Sequence, residues 1–262
     1  MSIVVLTIPG DAKRDFVNAL HEKTHNAVKL VVMQKPKKAS IFKTIRKLYT
    51  SVGVYGLFVE FWYALLLRAQ GHLRSALNLF RERTKSRETH VFIPEVIWVD
   101  DLNGEEVYKI LKEIAPNLLV IWGTGIIRPH IIKTAHKAVN LHMGKCPEYR
   151  GAIANQYAFL HNDFANIGAT IHYVEEKVDA GEILAQRVLD TTVPLQVGLR
   201  KLNDEAEQVY LELATRLYNG GAVPSYPQDI SKGKNILLKE WTPSMRYKVA
   251  KKIIQTRNSY PH

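Results

Sequence analysis

Residues 118–142 read LLVIWGTGIIRPHIIKTAHKAVNLH, and this stretch decides the fold. Leu118 to Trp122 is a short apolar run between Asn117 and Gly123, as expected of a strand buried on both faces. Pro129 has a backbone angle suited to the first turn of a helix, and Ile131 and Ile132 follow it. Ala138 to His142 then reads as a second strand. Strand, helix and strand on short links specify a parallel pair with a right-handed crossover.

The same alternation extends in both directions. Ile3 to Ile8 is an apolar, β-branched strand, and Asp11 is placed to cap a helix with Phe16, Val17 and Leu20 on one face. Val28 to Met33 and Val96 to Val99 are further strands. Asn103 is placed to cap a helix through Val107, Ile110, Leu111 and Ile114, which Pro116 and Asn117 end. Two strands, 169–174 and 182–188, flank a tight loop holding Asp179, Ala180 and Gly181, and a helix spans about 197–218. The pattern predicts an α/β fold with a Rossmann-like parallel sheet covered by helices on both faces. Residues 35–89 break the alternation and read as a basic helical insertion. The expected layout is a domain over 1–190 that includes this insertion, then a helical extension and tail over 191–262.

Within the insertion, Val52 to Leu67 is apolar, but it is short for a bilayer span and Glu60 lies midway. It reads as a surface helix packed on the main domain, with no transmembrane span. A helix lying on an anionic membrane surface, or a dimer contact, is the alternative.

Lys and Arg number 36 against 25 Asp and Glu, a net charge of +11. That surplus favours anionic partners such as phosphorylated small molecules, nucleic acid or lipid headgroups, without choosing among them. Lys35, Lys37, Lys38, Lys43, Arg46 and Lys47 crowd one stretch, and Arg81, Arg83, Lys85 and Arg87 another. Cys146 is the one cysteine, so neither an intrachain disulfide nor a paired-cysteine metal site can form, which fits a reducing cytoplasmic setting. Met1 to Ile8 lacks the basic start and long apolar core of a signal peptide.

Asn140 and His142 carry the chemistry of the deciding stretch. They stand two apart on a strand, so both side chains project from the same face. They also lie at the strand's carboxyl end, where open α/β sheets bind ligands. An asparagine amide can donate to a developing oxyanion, and a histidine can donate or exchange a proton near neutral pH. Asp179 in its tight loop is the candidate third member.

Four segments give that trio a context: Asn140-Leu-His142, Pro147-Glu-Tyr149-Arg150-Gly151, Gly168-Ala-Thr170-Ile-His172-Tyr173, and Val178-Asp179-Ala-Gly181. Over about Asn117 to Arg187 the chain resembles the folate-dependent formyltransferases, which act on glycinamide ribonucleotide, methionyl-tRNA or sugar nucleotides. The resemblance implies that Asn140, His142 and Asp179 are catalytic. Asn140 and a protonated His142 would stabilise the oxyanion, and Asp179 would orient His142 and hold it protonated. It implies N10-formyltetrahydrofolate as co-substrate, bound along Gly125, Ile126 and Ile127 and along Val178 and Asp179. Tyr149, Arg150 and Gln156 follow the candidate strand closely and are candidates for acceptor binding. Many members are dimers, so a homodimer is expected.

Departures from the family pattern narrow the acceptor. Gly144-Lys-Cys-Pro147 stands where many members carry Ser-Leu-Leu-Pro, and glycine-containing versions resemble a branch that formylates sugars. Ile8-Pro-Gly-Asp11 lacks the Gly/Ser/Asn-rich phosphate cradle of the purine-pathway enzyme. Residues 191–262 are short for the C-terminal barrel of a methionyl-tRNA formyltransferase. The reading is therefore a nucleotide-linked amino deoxysugar, such as GDP-perosamine or a dTDP-amino sugar, formylated for lipopolysaccharide O-antigen biosynthesis. DNA is not expected as a partner, tRNA is the main rival acceptor, and an inactive folate- or partner-binding domain is a third reading. Gly123-Thr-Gly125 is too incomplete for a dinucleotide site. A nucleophilic role for Cys146 beside His142 would need an exposed thiol.

Overall fold

The structure is a computed structural model that describes residues 1–36, 41–83 and 91–259. Of the basic residues noted above, Lys37, Lys38, Lys85 and Arg87 lie outside the described residues. The strands are β1 (Ile3–Thr7), β2 (Val28–Gln34), β3 (Val96–Val99), β4 (Leu118–Trp122), β5 (Lys137–His142), β6 (Tyr149–Gly151), β7 (Gly168–Tyr173), β8 (Ile183–Val188) and β9 (Lys234–Ile236). The helices are α1 (Asp11–Lys23), α2 (Ile41–Ala69), α3 (Gly71–Ala76), α4 (Glu105–Ile114), α5 (Pro129–Ile132), α6 (Ala154–Leu160), α7 (Leu195–Tyr218) and α8 (Pro243–Ser259).

Seven strands form one sheet in the order β3-β2-β1-β4-β5-β7-β8. The first five run parallel; β7 and β8 are antiparallel additions. Strand order reverses between β1 and β4, the kind of place where a crevice opens beyond the carboxyl ends of the strands. β1 and β4 are buried along their full length, as their continuous apolar runs require. Side chains alternate between two cores, with Val5, Val120 and Val139 on one face and Val4, Leu119 and Ile121 on the other.

Helix α7 belongs to the main core. Its Leu199, Leu202, Ala206 and Tyr210 pack with Phe16 and β4. The boundary expected after Asp190 therefore runs through a core and does not separate two units. Tyr210 is fully buried and stacked on Phe16 at 4.9 Å between ring centroids. Its hydroxyl accepts from the Ile121 N–H (3.1 Å) and lies 2.9 and 3.0 Å from the Ile121 and Val139 carbonyls. It thereby ties β4 to β5 one residue before Asn140.

Two expected caps do other work. Gly10 is the N-cap of α1, and Asp11 pairs with Arg14 inside the first turn at 2.8 Å. Gly104 is the N-cap of α4. The Asn103 amide donates to the Ile126 carbonyl (3.0 Å), and its oxygen accepts from the Arg128 N–H (2.6 Å), pinning the loop after β4.

The insertion is helical, as its composition suggests. Helix α2 changes direction at Gly53 (φ 70°), and the part beyond packs one side along α8, with Tyr63 against Tyr247 and Leu67 against Ala250. Val54, Tyr55, Phe58, Phe61, Trp62 and Leu65 form an exposed stripe on the other side. The span Val52–Ala69 is long and apolar enough to cross a membrane but only 11% buried, so packing on the domain covers just its inner face. Glu60 lies on that inner face. Its carboxylate accepts from the Ser244 N–H (2.7 Å) and the Ser244 hydroxyl, at the start of α8.

Replacing Tyr210 by Phe removes a buried hydroxyl that bonds to the Ile121 N–H and to the Ile121 and Val139 carbonyls. The expected loss is about 1–3 kcal/mol of unfolding free energy in urea denaturation, with secondary structure retained. An unchanged midpoint would remove the hydroxyl from the forces that join α7 to the sheet.

Candidate active site

The site is assembled around the carboxylate of Asp179. Asn140 and His142 reach it from β5, and His172 reaches it from β7, where it lies directly opposite Asn140. Asp179 Oδ2 accepts from the Gly151 N–H at 2.9 Å and lies 3.3 Å from His142 Nδ1. Asp179 Oδ1 lies 3.4 Å from His172 Nε2 and 3.5 Å from Asn140 Nδ2. Asn140 Nδ2 stands 3.2 Å from His172 Nε2, while His172 Nδ1 donates to the Tyr173 carbonyl at 2.7 Å. That last bond orients the His172 ring.

Two glycines permit this crowding. A side chain at Gly144 would meet the His142 ring, Ala154 and the Tyr149 carbonyl. Gly151 (φ 90°) lies against the Ile236 carbonyl of β9, which pairs with β6. The glycine that marks the departure from Ser-Leu-Leu-Pro is thus the seat of His142.

Burial shapes the charges. It lowers the pKa of His142, and it outweighs the opposing pull of Asp179. Burial thus works against the protonated His142 that the resemblance implied, and Asp179 opposes that effect without cancelling it. His142 Nε2 stands 3.2 Å from the Tyr149 carbonyl, so both ring nitrogens face acceptors. The neutral ring can donate to one of them, and a proton taken up would find a partner at the other. Burial also opposes ionisation of Asp179, but His142, His172 and the Gly151 N–H together hold its carboxyl well below the usual range. Asp179 is therefore an anion that faces two imidazoles.

The remaining candidates are placed differently. Tyr149 is buried, and its hydroxyl donates to Asp163 at 2.7 Å. Arg150 is buried and donates to the carbonyls of Val178 (3.4 Å) and Ile230 (3.2 Å). Both residues are built into the frame of the site. Gln156 lines a separate cavity between α2, α6 and α8. Gly125 and Ile126 are exposed on the loop pinned by Asn103, whereas Ile127 packs in the core. Beside that loop, a cleft of about 700 Å³ has Pro129, Ile132, Val174 and Ala180 in its wall. Lys133, Glu175, Glu176 and Lys177 complete much of that wall, and Ala180 follows Asp179 directly in the chain. Cys146 is buried, and burial followed by the charge of Asp179 pushes its thiol up to about 12, which removes it as a nucleophile.

Two residues were missed as members of the site. His172 stood inside a quoted motif, but only the β5–β7 register brings it to Asn140. Gln228 comes from beyond α7 and donates to the carbonyls of Asp179 (3.0 Å) and Gly181 (2.6 Å). Nothing in the local sequence marks it.

The profile of the Formyl transferase family matches residues 74–210, just over half the chain, and this range contains the whole Asn140–His142–His172–Asp179 cluster. The chain belongs to the formyl transferase family. Among curated relatives it is 35% identical over 141 residues to the methionyl-tRNA formyltransferase of Levilactobacillus brevis, covering 52% of this chain and 44% of that one. It is 38% identical over 103 residues to the protein of that name from Nitratiruptor, covering 39% and 33%. The chain thus spans less than half the length of these relatives. Its fold is similar to that of a sugar N-formyltransferase from Shewanella, with TM-score 0.56 and 13% identity over 95% of this chain and 88% of the other. It is also similar to that of the phosphoribosylglycinamide formyltransferase from Bacillus halodurans, with TM-score 0.52 and 17% identity over 82% and 95%. At such identities the likeness is one of fold.

The charge states make a formyl transferase cluster of this kind sensitive to acid. His142 has a folded pKa below its unfolded value of about 6.5, so the unfolded chain binds that proton first and stability falls as pH drops below about 6.5. Asp179, with a depressed folded pKa, stabilises above about pH 4 and loses that contribution on further acidification. Unfolding free energy measured by urea titration is expected to decline from about pH 6.5 in the wild type. In His142→Asn the decline down to about pH 5 should shrink because the histidine is gone, and part of the loss below about pH 4 should go with it, since His142 is the first of the groups that hold Asp179 ionised. Identical profiles would mean that His142 is not held neutral by burial.

Proposed function

We propose that this chain moves a formyl group from N10-formyltetrahydrofolate to the amine of a nucleotide-linked amino deoxysugar, a modification used in surface polysaccharide such as O-antigen. The observation that carries the reading is the convergence of Asn140, His142 and His172 on the ionised Asp179 at the carboxyl end of β5. The substrate amine forms a bond to the formyl carbon, and the carbonyl electron pair moves to oxygen. The Asn140 amide, only loosely engaged in the free protein, donates to that oxyanion. His142 takes the proton released by the amine, and Asp179 stabilises the resulting imidazolium. The C–N10 bond then breaks, the proton passes to the leaving nitrogen, and a formamide and tetrahydrofolate result. The cleft beside Ala180 is the candidate pterin site, with Pro129, Ile132, Val174 and Ile230 for the ring faces and Gln228, Glu175 and Glu176 for its polar edge.

Methionyl-tRNA is the second acceptor reading, and the names of the 30–38% identical relatives favour it. Residues 191–259 weigh against it. They form α7, which fills the main core, and a tail that closes on Asp179 through Gln228 and on β6 through β9.

A mass-spectrometric assay with N10-formyltetrahydrofolate, a panel of amino-sugar nucleotides and methionyl-tRNA tests both readings. One amino sugar should gain the mass of a formyl group. Turnover should drop by about 100-fold or more in Asn140→Ala, as for loss of one oxyanion donor, with folate affinity nearly unchanged. Product on methionyl-tRNA alone would overturn the acceptor. Equal loss of folate binding in Asn140→Ala would overturn the role of that residue.

A further inference from the structure

A second cavity, of about 770 Å³, lies where the insertion meets the C-terminal segment. Four guanidinium groups stand on its wall: Arg68 at the end of α2, Arg74 on α3, Arg81 just beyond α3, and Arg246 on α8. Among the described residues no Asp or Glu lines it, and none of the four arginines makes an ion pair. Arg246 donates to the Trp241 carbonyl at 3.2 Å, and its guanidinium stands 5.6 Å from the centre of the Trp241 ring. Burial and then the charge of Arg81 lower the pKa of Arg246. Like charges gathered without a counter-ion repel one another, and a bound anion would relieve that repulsion.

The cavity is tied to the candidate site through one short loop. Gly151 donates its N–H to Asp179, and the next two residues, Ala152 and Ile153, are in the cavity wall. Gln156 adds an amide from the first turn of α6. Several guanidinium forks match a group with several anionic oxygens, and Trp241 offers a flat apolar surface. The volume is that of a small-molecule site.

We propose that this cavity holds the nucleoside diphosphate of the acceptor, with the arginines on the two phosphates and Trp241 against the base. The inference rests on the reading of the acceptor as a nucleotide-linked sugar. It assigns recognition of that acceptor to the insertion and the tail, which flank the conserved-fold sheet on its own chain.

Titration calorimetry on the full chain tests it, with dTDP, UDP, GDP and inorganic pyrophosphate as probes and N10-formyltetrahydrofolate binding as a control for folding. At least one nucleoside diphosphate should bind the wild type. Arg81→Ala combined with Arg246→Ala should weaken it by about 100-fold or more, as expected for two lost charged hydrogen bonds, with folate affinity intact. Trp241→Ala should weaken the nucleoside diphosphate by about 10-fold or more and leave pyrophosphate unchanged. If a nucleoside diphosphate binds wild type and variants alike, the cavity assignment fails while the acceptor class stands. Pyrophosphate binding as tightly as every nucleoside diphosphate overturns the role given to Trp241 and the base. If none binds the wild type, the cavity assignment also fails, and the formylation assay on amino-sugar nucleotides decides separately whether the acceptor class falls with it.

Discussion

One largely enclosed carboxylate sets the terms for the rest of this molecule. Asp179 is ionised in a place where burial works against the charge, and two histidines and one backbone N–H compensate for it. Its backbone sits in the left-handed region (φ 47°), a conformation that costs an aspartate about 1–3 kcal/mol where nothing offsets it. Gln228 holds the loop at this residue and just beyond it by donating to the carbonyls of 179 and 181. Arg150 holds the carbonyl of 178. The position of the anion is therefore fixed by segments far apart in the chain, and its partners gain a rigid reference point.

That requirement explains features that otherwise look unrelated. β6 must run close to the 178–181 loop so that the Gly151 N–H can reach Asp179, and β9 holds it there by parallel pairing. The segment after β5 must turn tightly under His142, which leaves no room for a side chain at 144. β5 must not slide against β4, and the Tyr210 hydroxyl fixes them together just before Asn140. A shift of one residue in β5 would turn Asn140 and His142 to the opposite face.

Much of this was legible in the sequence, for definite reasons. Buried parallel strands are continuous apolar runs, so β1, β2 and β4 announce themselves, and the two-residue period places Asn140 and His142 together. Asp179 was legible only as part of a wider pattern, because no local rule brings a loop carboxylate to a strand 39 residues away in sequence. His172 was visible as a residue but not as a partner: its meeting with Asn140 depends on antiparallel register, which no local preference fixes. Gln228 could not be read at all, since a glutamine in a Pro- and Ser-containing segment looks like ordinary surface. Asp11 and Asn103 failed as caps because short polar side chains satisfy many backbone partners, and tertiary context chose others. Burial reversed the simple pairing argument for His142, and burial is a property of the fold rather than of neighbours in sequence.

Glu60 shows how the insertion joins the same system. A carboxylate midway along an apolar helix first argues only against a membrane span. In the fold it is buried and holds Ser244 at the first turn of α8, which fixes the angle between α2 and the tail. α8 carries Arg246 and its first turn follows Trp241, while Arg68 lies in the last turn of α2, so this one carboxylate sets the spacing of cations contributed by two distant segments. Glu60 is taken up by this cap, and among the described residues no acid lines the cavity beside the arginines. The same choice that stabilises the helix pair thus leaves a concentrated positive charge one short loop away from an anion that is fully satisfied by its own partners. Charges so divided allow an anionic ligand to bind in the cavity while Asp179, beyond the 151–153 loop, keeps its own partners.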